Sequence, residues 1–223
     1  AHKSETLLPI FHMAYSSHMD TLDHLQEQKA ETQDQISKSE NRIAMLEEKA
    51  ARLEATNSML QDLMDSGKLP GAVSAIIRAN ETKINAIHEN RIPKIENSIK
   101  KAENKISKLD DRIAVFRLKA EKLRSFSNVI QSFMIPNPQK RRELFKESME
   151  NLRNSSKGLL CISMNAEKSK LSKLFEQYEK SDSMAEKFKL GQKIEAVKSS
   201  ISAVEAKIHK LENAPEMENA NDH

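Results

Sequence analysis

The chain has 223 residues, of which 38% are hydrophobic, 31% charged and only 4% aromatic, with four glycines and no Trp. This composition suits long helices with thin apolar seams and argues against a sandwich, a barrel or a doubly wound sheet. The net charge of +3 is too small to imply a polyanionic partner, and the single cysteine, Cys161, excludes an internal disulfide framework.

Residues 1–7 are polar and are expected to be loose. Pro9 suits the first turn of a helix, where its missing N–H costs nothing. Leu8, Phe11, Tyr15, His18, Leu22, Leu25, Ile36, Ile43, Leu46, Ala50, Leu53, Leu60 and Met64 then occupy the a and d positions of one heptad frame. Steps of three and four residues mark a helix that buries one stripe against another helix. The stripe is uneven: Lys29, Thr32 and Ser39 take core positions, and Asn57 sits where a polar residue fixes register at a cost in stability. Asp65-Ser66-Gly67 supplies the stop, with Gly67 at the expected C′ position.

Lys68-Leu69-Pro70-Gly71 makes the turn into a second helix, opened by Pro70 or Gly71, whose apolar face is Val73, Ile76, Ile77, Ile84 and Ile87. The ladder resumes in a different phase through Ile92, Ile95, Ile99, Ala102, Ile106, Leu109, Ile113, Phe116, Ala120, Leu123 and Ile130. Pro93 stands at the change of phase, and a kink is expected there rather than a chain reversal. Folding about the 67–70 turn makes facing residue numbers sum to about 137. Leu53 then meets Ile84, Leu60 meets Ile77, Leu22 meets Phe116 and Phe11 meets Phe126.

Charge selects the same alignment. Residues 1–65 carry 6 basic and 12 acidic side chains, and residues 91–124 carry 11 basic and 5 acidic. Asp20, Asp23, Glu27, Glu31 and Asp34 fall beside Lys101, Lys105, Lys108, Arg112 and Arg117, so the two segments should neutralise each other.

Ile135-Pro136-Asn137-Pro138 ends the second helix. A third is expected from about Gln139 to Ser155, with Leu144, Phe145, Met149 and Leu152 as its stripe and Gly158 closing it. Leu159 to Met164 reads as a short apolar connector. Asn165 is the expected N-cap of a fourth helix reaching Lys180, carrying Leu171, Leu174, Phe175 and Tyr178. Ser183 and Glu186 form a capping box for the last helix, whose ladder is Leu190, Ile194, Val197, Ile201, Val204, Ile208 and Leu211. Residues 214–223 are polar and acidic and are expected to be disordered.

The expected fold is therefore all-α: a long antiparallel helical hairpin, or coiled coil, over residues 1–135. Its helices span about 9–66 and 71–134 and are kinked near Pro93. Three shorter C-terminal helices over 136–213 pack on it, and 214–223 form a tail. The structural seam rests on Leu22, Leu53, Leu60, Ile77, Ile84 and Phe116. Whether the seams close within one chain or in a homodimer stays open.

Catalytic motifs do not emerge. The four glycines are isolated, so no phosphate cradle is formed, and no nucleophile elbow is present. His12, His18 and His24 recur every six residues, whereas helical metal pairs need i, i+4 to share a face. Cys161 lacks a neighbouring His or cap to lower its pKa and reads as a small buried hydrophobe. The methionines beside the ladders read as core filling rather than as an adaptable surface. No catalytic, metal or cofactor residues are assigned, and no enzyme is expected.

Lys140, Arg141 and Arg142 form the one basic run that invites a partner. Without interleaved aromatics it reads first as a solvated face and second as a phosphate contact. In composition the chain resembles coiled-coil modules found inside larger bacterial proteins. The continuous heptads, the missing catalytic constellations and the unusual helix length lead to the expectation of a non-catalytic interaction or spacer module, part of a larger bacterial protein, presenting helix faces to a protein partner. A sharper form is a bacterial surface module that binds a host protein such as immunoglobulin. The alternative is a nucleic-acid-associated accessory protein using its basic helices, against which the small net charge weighs. No apolar run approaches the ~20 residues of a membrane span, and no signal peptide is visible. The start at Ala1 suggests a trimmed or excised piece. A cytoplasmic protein and a bacterial surface or secreted fragment both fit.

Overall fold

The computed structural model describes residues 2–68 and 71–213, with the backbone alone for residues 2–5. The described residues are almost entirely helical and contain no strand. In chain order they form α1 (His2–Asp65), α2 (Val73–Ala86), a π-helical turn (Ile87–Arg91), α3 (Ile92–Ser132), α4 (Pro138–Lys180) and α5 (Met184–Glu212). The expected tail at 214–223, and Leu69 and Pro70 of the expected turn, lie outside the described residues. The chain divides into two compact units, one of residues 1–23 with 113–223 and the other of residues 24–112. Both α1 and α3 contribute a segment to each.

In the 24–112 unit the core is Leu46, Ala50, Ile87, Ile92 and Ile95, with Ile43 and Ile99 packed against it. Ile77 and Ile84 are buried, while Leu53 and Leu60 are half-buried. Gly67, at φ +75°, ends α1 in the left-handed region that a Cβ disfavours. Its N–H donates to the Met64 carbonyl, and the Lys68 N–H donates to that of Leu63. These are the two bonds of a Schellman stop.

Pro93 lies one residue inside α3, and the backbone stays helical through it. The adjustment occurs just upstream, where the Ile92 N–H donates to the Ile87 carbonyl, five residues back. Pro93 has no N–H to offer, and its ring would crowd the carbonyl of Glu89 in a regular α turn. A wider π turn accommodates the ring and inserts one residue into the helical count. That extra residue accounts for the phase change in the apolar stripe: Ile84 and Ile87 before it, and Ile92 and Ile95 after it, are all buried.

The other unit holds the start of α1, the end of α3, α4 and α5. Phe11 stacks on Phe126 with ring centroids 6.0 Å apart, and His18 meets the Phe116 ring edge-on at 5.5 Å. Leu22, Ile113 and Ala120 are buried in this unit, while Phe116 is half-buried. Leu174, Leu190, Ile194, Val197 and Ile201 form the core between α4 and α5, with Met164 and Leu171 against it.

Two expectations are corrected here. Residues 2–7 are not loose, since α1 already starts at His2. Among the described residues two helices, not three, follow residue 136, because α4 runs unbroken for 43 residues through Gly158, the apolar stretch 159–164 and Asn165. Gly158 is a packing position rather than a stop. A Cβ placed there would lie 3.0 and 3.1 Å from the two methyl carbons of Leu118. The missing side chain lets α4 approach α3 closely, and the ~1 kcal/mol of helix propensity lost to Gly is offset by that packing.

Candidate interaction surfaces

Asn137 caps α4: its Oδ1 accepts from the N–H groups of Gln139 at 3.0 Å and Lys140 at 3.2 Å, and Pro138 fills the first turn. This places Lys140, Arg141 and Arg142 in the first turn of α4. Lys140 and Arg142 are exposed and Arg141 is half-buried. The Arg142 Nε donates to the Pro138 carbonyl at 3.3 Å, which holds the stem of that side chain against the turn. Cations at a helix start oppose the macrodipole, so this run is not explained by helix stability.

The same turn carries exposed apolar side chains. Phe133 is 64% exposed and Met134 49%, although the Phe133 ring lies 5.7 Å from that of Phe145. On the first turns of α1, Leu7, Ile10 and Met13 are also exposed. Their three-residue spacing puts them on one face.

A second apolar surface surrounds the α4–α5 connection. Tyr178, Met184, Phe188 and Gly191 line an open cleft of about 700 Å³ together with Lys187, Gln192 and Glu195. Met184 is 85% exposed and Phe188 69%. The Lys187 ammonium sits 5.3 Å from the Tyr178 ring centroid, a cation–π contact that keeps the ring face partly covered. Ser181 and Ser183 shape the turn. The Ser183 hydroxyl accepts from the Glu186 N–H at 3.4 Å, but the Glu186 carboxylate accepts from the Ser181 hydroxyl at 3.0 Å instead of closing the capping box.

Sequence reasoning grouped Phe175 and Tyr178 with Leu171 and Leu174 as the apolar stripe of the expected fourth helix; they are 40% and 37% exposed. Of that stripe, Leu174 enters the core and Leu171 packs against it. Met184 and Phe188 were not singled out at all. The available signal was their four-residue spacing in α5, on a different phase from the Leu190 to Ile201 ladder.

The histidines separate as their spacing implies. His12 approaches the Ser127 hydroxyl at 3.4 Å, His18 contacts Phe116, and His24 pairs with Gln28 at 3.1 Å. The cleft beside His12 is lined by Phe11, Tyr15, Leu123, Arg124, Asn128 and Gln131 as well as Ser127. Among the described residues its lining holds no carboxylate beside the imidazole. Among the described residues no group of three or more His, Cys, Asp or Glu is placed to hold a metal ion. Cys161 is half-buried within α4.

One ion pair perturbs its members. Lys157 Nζ lies 2.7 Å from the Glu212 carboxylate. That hydrogen bond, then the attraction of the charges, raises the Lys157 pKa and lowers that of Glu212. Both groups are solvent-accessible, so the pair pins the end of α5 to α4 without implying chemistry.

No helix among the described residues is long and apolar enough to cross a membrane. Comparison with protein-family models, curated proteins and solved structures returns no match.

Proposed function

We propose that the chain is a non-catalytic helical interaction or spacer module, part of a larger bacterial protein, that presents helix faces to a protein partner. Within each unit the facing segments are read as an antiparallel coiled coil in one register, with the helical path bent near Pro93. The observation that carries the functional reading is the open apolar cleft at the α4–α5 connection, where Met184 and Phe188 stand in solvent. Large apolar side chains grouped on a helix surface outside the core are characteristic of protein-contact sites. Tyr178 is of a residue type enriched among those that dominate binding energy, and aromatic side chains such as Phe188 are enriched in protein interfaces.

The test is affinity capture with the full chain beside a Met184→Ser/Phe188→Ser variant, both checked by circular dichroism. A protein retained by the parent chain and lost by the variant supports the reading. Equal recovery by both, or recovery by neither, removes this cleft as the contact surface. Capture from serum addresses the bacterial-surface form of the proposal, which fails if no host protein is retained. Light scattering on the same samples addresses a homodimer.

A further inference from the structure

The α3–α4 turn combines features that the protein-contact reading does not use. Residues 6–19 and 125–142 contain no Asp or Glu, and the second stretch contains Lys140, Arg141 and Arg142. A chain with almost balanced charge therefore has a locally cationic segment pair. The contacts Phe11–Phe126 and His12–Ser127 set the two segments side by side within one unit. Moving one turn toward the start of α1 from Phe11 and one turn toward the end of α3 from Phe126 brings Leu7 level with Ile130. Leu7 and Ile10 thus lie at the same end of the unit as Phe133 and Met134, and all four are exposed. Lys140 and Arg142 follow within two turns of chain and are exposed as well.

We propose that this end of the unit docks on an anionic lipid surface. Phe133 and Met134 enter the boundary between headgroups and acyl chains, joined by Ile10 and Leu7, while Lys140 and Arg142 rest on lipid phosphates. Apolar side chains bordered by Lys and Arg, without enough length to span, are what interfacial binding requires. An anionic leaflet attracts such cations, and the attraction is lost with added salt. The Phe145 ring beside Phe133 holds the inserting side chain in place before contact, which reduces the ordering cost on binding.

Nucleic acid fits the cations but not their neighbours. Bases stack on aromatic faces, and aliphatic Leu7, Ile10 and Met134 would gain nothing from a phosphate backbone.

The test is co-sedimentation of the full chain with vesicles of phosphatidylcholine alone and of phosphatidylcholine with phosphatidylglycerol, at low and high salt. Binding to the anionic vesicles is expected at low salt and should fall as salt rises. Phe133→Ser/Met134→Ser and, separately, Lys140→Glu/Arg142→Glu should each weaken it roughly tenfold or more. A Met134→Cys variant in a Cys161→Ser background, labelled with an environment-sensitive fluorophore, should shift to the blue on anionic vesicles, and this readout does not depend on removing Phe133. The proposal is overturned by any of four results: no binding at low salt, equal binding to neutral vesicles, no blue shift, or tight binding of a DNA duplex in an anisotropy titration with none of vesicles.

Discussion

The Asn80 side-chain amide donates to Asn57 Oδ1 at 2.9 Å, while the Asn57 amide donates to the Ile77 carbonyl at 3.1 Å. Asn80 is buried and Asn57 half-buried, so this polar layer interrupts the apolar contact of α1 with α2 at one level. A shift of either helix by a turn would leave both amides facing apolar side chains. The layer therefore selects register, and it does so at the expense of apolar packing.

Replacing Asn57 alone by Ala should cost about 1–3 kcal/mol, because the Asn80 amide is left buried without its acceptor. Replacing both by Leu should recover that loss or exceed it, while the preference for one register weakens. Chemical denaturation measures the first effect. Light scattering, or doubled amide signals in an NMR spectrum, measures the second.

Ser148 is 1% exposed, and its hydroxyl has no hydrogen-bond partner among the described residues. Ser125 and Ser155 on α3 and α4 differ from it, since each donates to a carbonyl four residues back in its own helix. Ser148→Ala should therefore leave stability unchanged or raise it by about 1 kcal/mol, seen as a higher denaturation midpoint. Ser155→Ala should show no comparable gain.

Gly158 faces the Leu118 side chain so closely that size decides the outcome. Gly158→Ala gains helix propensity of about 1 kcal/mol and asks only the tip of Leu118 to move, so the two effects should nearly cancel. Gly158→Val should destabilise by about 1–3 kcal/mol through overpacking. Denaturation of the two variants side by side distinguishes a packing glycine from a helix terminator, for which neither size dependence is expected.

These residues also mark what was legible in the sequence. Heptad spacing identified Leu22, Leu25, Leu46 and Ala50, which are buried, and the facing rule paired Phe11 with Phe126, whose rings stack. Both signals are periodic and local, so they survive without knowledge of the rest of the chain. The phase change at Pro93 was visible too, but a π turn was not, because periodicity records a shift without saying how the backbone absorbs it. Gly158 misled for a different reason. A glycine that ends a helix and one that admits a neighbour look alike until Leu118 is placed. Charge patterning was coarser still. One cross-helix ion pair in the 24–112 unit, Lys29 to Asp110 at 2.7 Å, runs opposite to the acidic-on-α1, basic-on-α3 expectation, whereas His88 stands 3.8 Å from Glu54 in the expected sense. Exposed pairs carry too little energy to dictate which individual charges meet.

The interaction surfaces were the least legible part. Lys140, Arg141 and Arg142 stood out as a run, but Met134 beside them was read with the other methionines as core filling, and Phe133 was not singled out. Met184 and Phe188 were missed because a second apolar stripe on α5 has no meaning until the Leu190 to Ile201 ladder is known to be occupied by α4.

Register is the claim on which all the surfaces depend, since it decides which faces are left uncovered. Two cysteine pairs test it in a Cys161→Ser background, each lying within one unit: His12→Cys/Ser127→Cys and Asn57→Cys/Asn80→Cys. The parent side chains touch at 3.4 Å and 2.9 Å, so both pairs should be bridged by a short bismaleimide, within a monomer on a denaturing gel. Closure of the 57/80 pair without the 12/127 pair, or cross-links only between chains, would contradict the account.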